Sequence, residues 1–121
     1  MIYMASKACH GPEWRNLRDQ GGFPILSTWI NESGVGEISD WPDLWTRRIQ
    51  EASQAKVLIV VRRDNEVLKG AWAEVGAALA HGVPVFAVGC DEFSIRHHPL
   101  VTTRASLNTA LNGALKIIGA R

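Results

Sequence analysis

The order of apolar and polar positions predicts strands that alternate with helices. Apolar runs at residues 2–5, 23–30, 57–61 and 83–88 predict strands, and the unbroken run at 57–61 is typical of a strand covered on both faces. Helix-forming stretches occupy residues 12–20 and 40–55, and a third helix around Glu74 ends at Gly82, a good left-handed stop. Strands alternating with helices favour a doubly wound parallel sheet.

The remaining segments predict loops and one last helix. Residues 31–39, 62–68 and 89–99 are polar or irregular stretches between the predicted elements. The last helix is expected to start near Thr103, because its apolar residues form the stripe of an amphipathic helix at Leu107, Leu111, Ala114, Leu115 and Ile118. The whole pattern predicts a single α/β domain over residues 1–121, with about five strands and flanking helices.

Composition narrows the classes of partner. The 121 residues carry 13 basic and 12 acidic side chains, a net charge of +1 that gives no footprint for a nucleic acid polymer or an anionic membrane. No stretch approaches the roughly 20 apolar residues of a membrane span. Cys9 and Cys90 lie far apart and in no metal-ligand spacing, which favours a reducing, cytoplasmic compartment. We therefore expect a small-molecule partner and neither a metal nor another cofactor.

Glu74 is the candidate for chemistry, because it is a lone carboxylate among small residues. On a helix its neighbours three and four positions away are Gly70, Ala71, Ala77 and Ala78, so this face can pack closely. In doubly wound sheets ligands bind outside the carboxyl ends of the strands, so the loops after residues 5, 30, 61 and 88 are predicted to face one cleft. There an ionised carboxylate can act as a nucleophile or a base. Alternatively, Glu74 pairs with a basic neighbour such as Lys69 or Arg104.

Three segments carry a resemblance to a known family. They are Ile-Tyr-Met-Ala-Ser-Lys at residues 2–7, with Arg15 following; Gly-Ala-Trp-Ala-Glu-Val-Gly-Ala-Ala-Leu-Ala-His-Gly-Val-Pro-Val at 70–85; and a His-His-Pro run at 97–99 that precedes the last helix. In this order and spacing they resemble the nucleoside 2-deoxyribosyltransferase superfamily, especially its short members related to nucleotide N-glycosidases. That family has a flavodoxin-like, Rossmann-like fold, and its helix motif is usually Glu-X-Gly-X-Ala.

The resemblance implies a reaction at the N-glycosidic bond of a 2′-deoxynucleoside or its 5′-monophosphate. Glu74 would attack the anomeric carbon, release the base and form a glycosyl-enzyme ester, which water or a second base then resolves. Ser6 and Lys7 would face the 5′ side of the sugar, whereas the rings of Trp29 and Trp72 are candidates to stack on the base or, alternatively, to pack in the core or at a subunit interface. The residues expected to bind substrate are Tyr3, Ser6, Lys7, Arg15, Trp29, Asp64, Gly70 and Trp72.

Two positions depart from the family pattern. Lys56 stands where members often carry an aspartate, and Leu68 replaces a polar residue six positions before the glutamate, although Asp64 in the same loop is a candidate substitute. Transfer and hydrolysis both remain open. A non-catalytic nucleotide-binding or sensor module, and an interaction domain in which Glu74 sits in an internal ion pair, are the alternatives. The resemblance also implies a homodimer or larger homo-oligomer in which a neighbouring chain completes the pocket.

Overall fold

The computed structural model describes residues 1–34 and 40–119, so the predicted loop at 31–39 lies partly outside the described residues. Over these ranges the chain forms an α/β domain with four strands and four α-helices. In chain order the elements are β1 (Ile2–Ser6), α1 (Gly11–Asp19), α2 (Trp41–Gln54), β2 (Val57–Val61), α3 (Gly70–Ala80), β3 (Val85–Val88), β4 (Val101–Arg104) and α4 (Leu107–Ile118). No helix within these ranges is long and apolar enough to cross a membrane.

The four strands form one parallel sheet in the order β1-β2-β3-β4. β2 is buried along its whole length, as its unbroken apolar run predicts. Tyr3 of β1 is aligned with Leu58 of β2 and donates a hydrogen bond to a side chain of α3. Phe86 lies one residue beyond the β3 residue that is aligned with Leu58, and it packs against Gly113 of α4. Successive residues of a strand point to opposite faces. Helices α3 and α4 therefore cover opposite faces of a Rossmann-like sheet.

The strand predicted at residues 23–30 does not form, so the described sheet has four strands where about five were expected. This segment makes a single parallel bridge, between Ile25 and Ile2 of β1. Beyond that bridge, side chains replace the backbone ladder: Ser27 Oγ accepts from the Met4 amide at 2.7 Å, and Trp29 Nε1 donates to the Met4 carbonyl at 3.0 Å. Pro24 lacks the amide hydrogen that a longer ladder needs.

The helix boundaries follow from local capping. Asp40 accepts from the Asp43 amide at the start of α2, and a capping box of Ser106 and Thr109 starts α4, which ends at Gly119. Helices α1, α2 and α3 lie where they were predicted, within one or two residues. The last helix begins four residues later than Thr103, because that residue belongs to β4. This edge strand, Val-Thr-Thr-Arg, was missed because a half-solvated edge carries polar residues.

Gly89 directly follows the last residue of β3. We expect the substitution Gly89→Ala to lower the free energy of unfolding by about 2–4 kcal/mol. Its φ is +76°, and a Cβ atom would meet the carbonyl oxygen of Arg62 directly. Gly82→Ala is the matched control, since its φ is +74° but nothing lies within 4 Å of the added carbon. Urea unfolding of both variants measures the difference. An equal loss in both would show that the Arg62 contact is not the cause.

Candidate functional site

Glu74 is fully buried and held by two donors from different elements. The Tyr3 hydroxyl of β1 donates to Glu74 Oε1 at 2.6 Å, and Arg48 Nη2 of α2 donates to Glu74 Oε2 at 2.8 Å. The exposed fraction of Glu74 is 0%. An internal ion pair does exist, as one of the alternatives above required, but its cation is Arg48 rather than Lys69 or Arg104.

Arg48 reaches Glu74 because α2 packs alongside α3. Its guanidinium lies 4.3 Å from the centroid of the Trp45 ring and 5.9 Å from that of Trp29. Gly70 opens α3 at the same place, and a Cβ there would come within 2.9 Å of both Arg48 Nη2 and the Trp45 ring. A glycine at the start of α3 therefore makes room for the guanidinium. Arg48 Nε is buried and has no hydrogen-bond partner in the described part of the chain.

Burial and charge set the protonation of this cluster. Burial raises the pKa of Glu74, while the hydrogen bonds and charge of Arg48 and the bond from Tyr3 counteract part of that rise. Burial and the neighbouring carboxylate raise the pKa of Tyr3, so its hydroxyl stays protonated and donates. Burial lowers the pKa of Arg48, but its contact with Glu74 outweighs this and the net shift is upward. Ionised Glu74 therefore depends on Arg48 for its charge balance.

A cleft of about 420 Å³ opens beside this cluster, at the carboxyl ends of β1 and β2. Within the described ranges, three cations line it, Lys7, Arg48 and Lys69, and no carboxylate does. Glu74 itself is not in the lining, whereas Arg48, which bonds its carboxylate, is. The other lining residues are Ser6, Ala8, Trp45, Val67, Leu68, Gly70 and Ala71. This arrangement suits a small anionic ligand.

Four of the expected substrate-binding residues lie at the cleft or at Glu74. Ser6, Lys7 and Gly70 line the cleft, and Tyr3 bonds the carboxylate. Ser6 is already satisfied, because its Oγ accepts from Trp14 Nε1 at 2.8 Å and donates to the Lys7 carbonyl at 2.9 Å. Ser6 therefore holds the loop after β1 in place, and the side chain of Lys7 is the less constrained of the two.

The other four lie outside the cleft lining. Arg15 Nη1 donates to the carbonyls of residues 30 and 33 at 3.0 and 2.8 Å, so Arg15 does not converge with Ser6 and Lys7. Trp29 is buried against β1, and Asp64 is exposed in a turn with a φ of +53°. Trp72 is half-buried and lines a separate groove of about 260 Å³ with Phe93, Ser94 and Ile95.

The two residues that depart from the family pattern, Lys56 and Leu68, lie in different parts of the structure. Lys56 is exposed at the amino end of β2, the end opposite to the cleft. Leu68 is buried and lines the cleft, so this part of the wall is apolar. Of the two, only Leu68 bears on a ligand in the cleft.

A second polar cluster joins the loops after β1 and β2 next to the cleft. His10 Nε2 and Glu66 Oε2 are 2.6 Å apart, and Glu66 Oε1 accepts from the Arg63 amide at 2.9 Å. Cys9, His10 and Glu66 offer possible metal-ligand atoms within 4.8 Å of one another, a grouping that no spacing in the sequence indicates. The direct hydrogen bond between His10 and Glu66 accounts for their proximity.

Arg48 is a residue of the candidate site that sequence reasoning missed. The chain has 13 lysines and arginines, and no motif in the sequence distinguishes Arg48, which follows another arginine. The available signal was physical, since a carboxylate on a face of small residues must be paired when it is buried. Which cation pairs with it depends on how α2 packs on α3, and no local pattern encodes that contact.

Comparison with known proteins identifies no relative: no family model matches the chain, and no curated protein and no solved structure matches it. The resemblance of the three motifs therefore stays a prediction. The features that bear on function are the buried carboxylate of Glu74 and the cationic cleft beside it.

Proposed function

We propose that this protein cleaves or transfers at the N-glycosidic bond of 2′-deoxynucleosides or their 5′-monophosphates, with Glu74 as nucleophile. The observation that carries the proposal is a buried carboxylate held by Tyr3 and Arg48, of which Arg48 lines a cleft at the carboxyl ends of parallel strands. Carboxylates beside the anomeric carbon stabilise an oxocarbenium-like transition state and capture it.

The proposed reaction proceeds in two displacements. Glu74 forms a bond to C1′ as the bond from C1′ to the base nitrogen breaks, and the departing base takes up a proton from water. Water, or a second base, then attacks C1′ of the ester, which returns the carboxylate of Glu74. The neutral hydroxyl of Tyr3 stays a hydrogen-bond donor throughout, because its raised pKa keeps it protonated.

The charge of the cleft supports the 5′-monophosphate over the uncharged nucleoside. Lys7, Arg48 and Lys69 line the cleft without a carboxylate among them. Charge-assisted bonds to a phosphate dianion are stronger than those to a sugar hydroxyl. We propose that Lys7 and Lys69 hold the phosphate of the substrate.

A nucleotide-binding or sensor module is the second candidate, and one observation favours it. Glu74 has no exposed surface and is not in the cleft lining, whereas Arg48, which bonds its carboxylate, is. A carboxylate that keeps this position cannot reach an anomeric carbon. The module would then bind a deoxynucleotide without turning it over.

Chromatography of reaction mixtures separates these functions. The protein is incubated with a panel of 2′-deoxynucleosides and their 5′-monophosphates, with and without a second free base, beside the Glu74→Ala variant. Base release that is lost in the variant supports glycosidic cleavage, and a new nucleoside formed only with the acceptor base supports transfer. Binding of a monophosphate without release of base favours the sensor module.

We further propose that the protein works in the cytoplasm as a homodimer or larger homo-oligomer. Val67 lines the cleft yet has an exposed fraction of 68%, and Trp41 at the start of α2 is 54% exposed. Large apolar side chains in these positions suit burial by a neighbouring chain. Analytical ultracentrifugation tests the oligomer, and a monomer at micromolar concentration would contradict it.

A further inference from the structure

Arg48 is the cation that contacts both Glu74 and the cleft. We propose that Arg48 is an anion receptor that exchanges partners: the phosphate monoester of a bound ligand takes the guanidinium from Glu74 and thereby uncovers the carboxylate. The exchange of partners is a statement about ligand binding alone. That the exchange uncovers a nucleophile rests on the proposed function. Arg48 would then be the residue that makes the site specific for anionic ligands.

The hydrogen bonds of Arg48 leave it free to take a second anion. A guanidinium has five N–H donors, and Arg48 uses Nη2 on Glu74 while Nε is buried without a partner among the described residues. The Trp45 ring supports the guanidinium from one side at 4.3 Å. A flat guanidinium can slide over an aromatic ring and keep most of that contact. Arg48 therefore keeps its support on Trp45 when it turns toward the cleft, and the bonds to the phosphate offset the loss of its pair with Glu74.

The charges around the cleft favour the exchange. A phosphate in the cleft would be near Lys7 and Lys69 as well as Arg48, and the part of the lining that the structure describes holds no carboxylate to repel it. Arginine binds phosphate through paired, parallel hydrogen bonds, a stronger arrangement than its single bond to Glu74. After the exchange Glu74 keeps the hydrogen bond from Tyr3 and faces the cleft.

If Arg48 exchanges partners, Glu74 and the ligand compete for its guanidinium. This competition predicts the direction in which the affinity for the ligand changes when Glu74 loses its charge. Glu74→Gln removes the competing charge but keeps the size of the side chain. We therefore expect this variant to bind inorganic phosphate more tightly than the wild type, by about threefold to tenfold. Loss of the negative charge alone also favours an anion, so the double variant below measures how much of the gain depends on Arg48.

Calorimetric titration with inorganic phosphate at constant ionic strength tests the proposal. The variants are Glu74→Gln, the double variant Arg48→Gln/Glu74→Gln, and Arg47→Gln as control, because Arg47 also lies on α2 but pairs with Glu32 and Asp43 outside the cleft lining. The double variant leaves neither buried charge unpaired, so its folding is preserved. It should bind phosphate about tenfold more weakly than Glu74→Gln, and Arg47→Gln should match the wild type.

Three results would overturn the exchange: no detectable binding of phosphate to the wild type, no tighter binding in Glu74→Gln, or equal binding in the double variant and Glu74→Gln. Base release by the same variants keeps the two proposals apart. If Glu74→Gln binds phosphate more tightly yet still releases base, the nucleophile assignment fails and the anion receptor stands. If Glu74→Gln loses base release without tighter binding, the receptor fails and the nucleophile stands.

Discussion

Glu74→Gln is expected to slow the release of base from a 2′-deoxynucleoside 5′-monophosphate by a factor on the order of 10⁴ or more. Glutamine fills the same space but its amide is a poor nucleophile, and among residues 1–34 and 40–119 no carboxylate lines the cleft to take over. The measurement is the initial rate of base release, followed by chromatography, under saturating substrate. A second variant, Tyr3→Phe, removes one donor but keeps the carboxylate.

Tyr3→Phe therefore serves as the matched comparison for the loss of the nucleophile. Because the carboxylate of Glu74 itself remains and only the hydrogen bond to Oε1 is lost, the rate should fall by only about 10- to 100-fold. Circular dichroism of both variants verifies that the fold is intact. A rate for Glu74→Gln within tenfold of the wild type would remove Glu74 from the mechanism.

Arg48→Met is expected to lower the free energy of unfolding by about 3–5 kcal/mol at neutral pH. Methionine leaves the carboxylate of Glu74 at 0% exposure with the Tyr3 hydroxyl as its remaining donor among those described. Removing one partner of a buried pair is costly because the other charge stays without compensation. Urea unfolding, read by tryptophan fluorescence, measures the loss.

The loss in Arg48→Met should depend on pH with a defined sign. Burial already raises the pKa of Glu74 above its ordinary value of 4.5, and without Arg48 the pKa rises further. The folded state then binds the proton more tightly than the unfolded state, so stability falls as pH rises above about 4.5. We expect a small loss at pH 4 and the full loss only above the folded-state pKa of Glu74. A second substitution, Glu74→Gln, should relieve most of it, and a loss that is equal at both pH values would contradict the account.

The local signals of the sequence were sufficient for most of the fold. The unbroken run of β2 predicted a central, fully buried strand, and Asp40 predicted the start of α2, because these features depend on neighbouring residues alone. Residues 23–30 failed as a strand because Pro24 and the side chains of Ser27 and Trp29 take over the edge of β1. These interactions depend on tertiary placement.

The residues of the candidate site likewise divide into those that the sequence predicted and those whose contacts depend on tertiary placement. Glu74 was found from its small neighbours, and Ser6 and Lys7 follow the first strand, whose carboxyl end was expected at the same edge of the sheet. Gly70 was expected near the site only from the resemblance of its motif. Arg48 was missed because its pairing depends on the contact between two helices. Arg15 and Trp29 were expected to bind substrate, but Arg15 Nη1 and Trp29 Nε1 donate to backbone carbonyls. An arginine or tryptophan gives no sign in the sequence of which carbonyl it will meet.

The nucleophile and sensor hypotheses differ in one physical event, the departure of Arg48 from Glu74. If the ion pair persists with a ligand in the cleft, the carboxylate stays covered and the protein can only bind. If the ligand draws Arg48 away, the carboxylate faces the cleft. The two functions are therefore alternatives for the same residues, and the fate of a single ion pair decides between them.

The most direct test of the nucleophile is the intact mass of the protein after rapid acid quench of a reaction with a 2′-deoxynucleoside 5′-monophosphate. The account predicts a species heavier by one 2-deoxyribosyl 5-phosphate group, with the adduct on the peptide that contains Glu74 and absent from Glu74→Gln. Base release with no adduct on that peptide, or with an adduct on another residue, would contradict the assignment of Glu74 as the nucleophile.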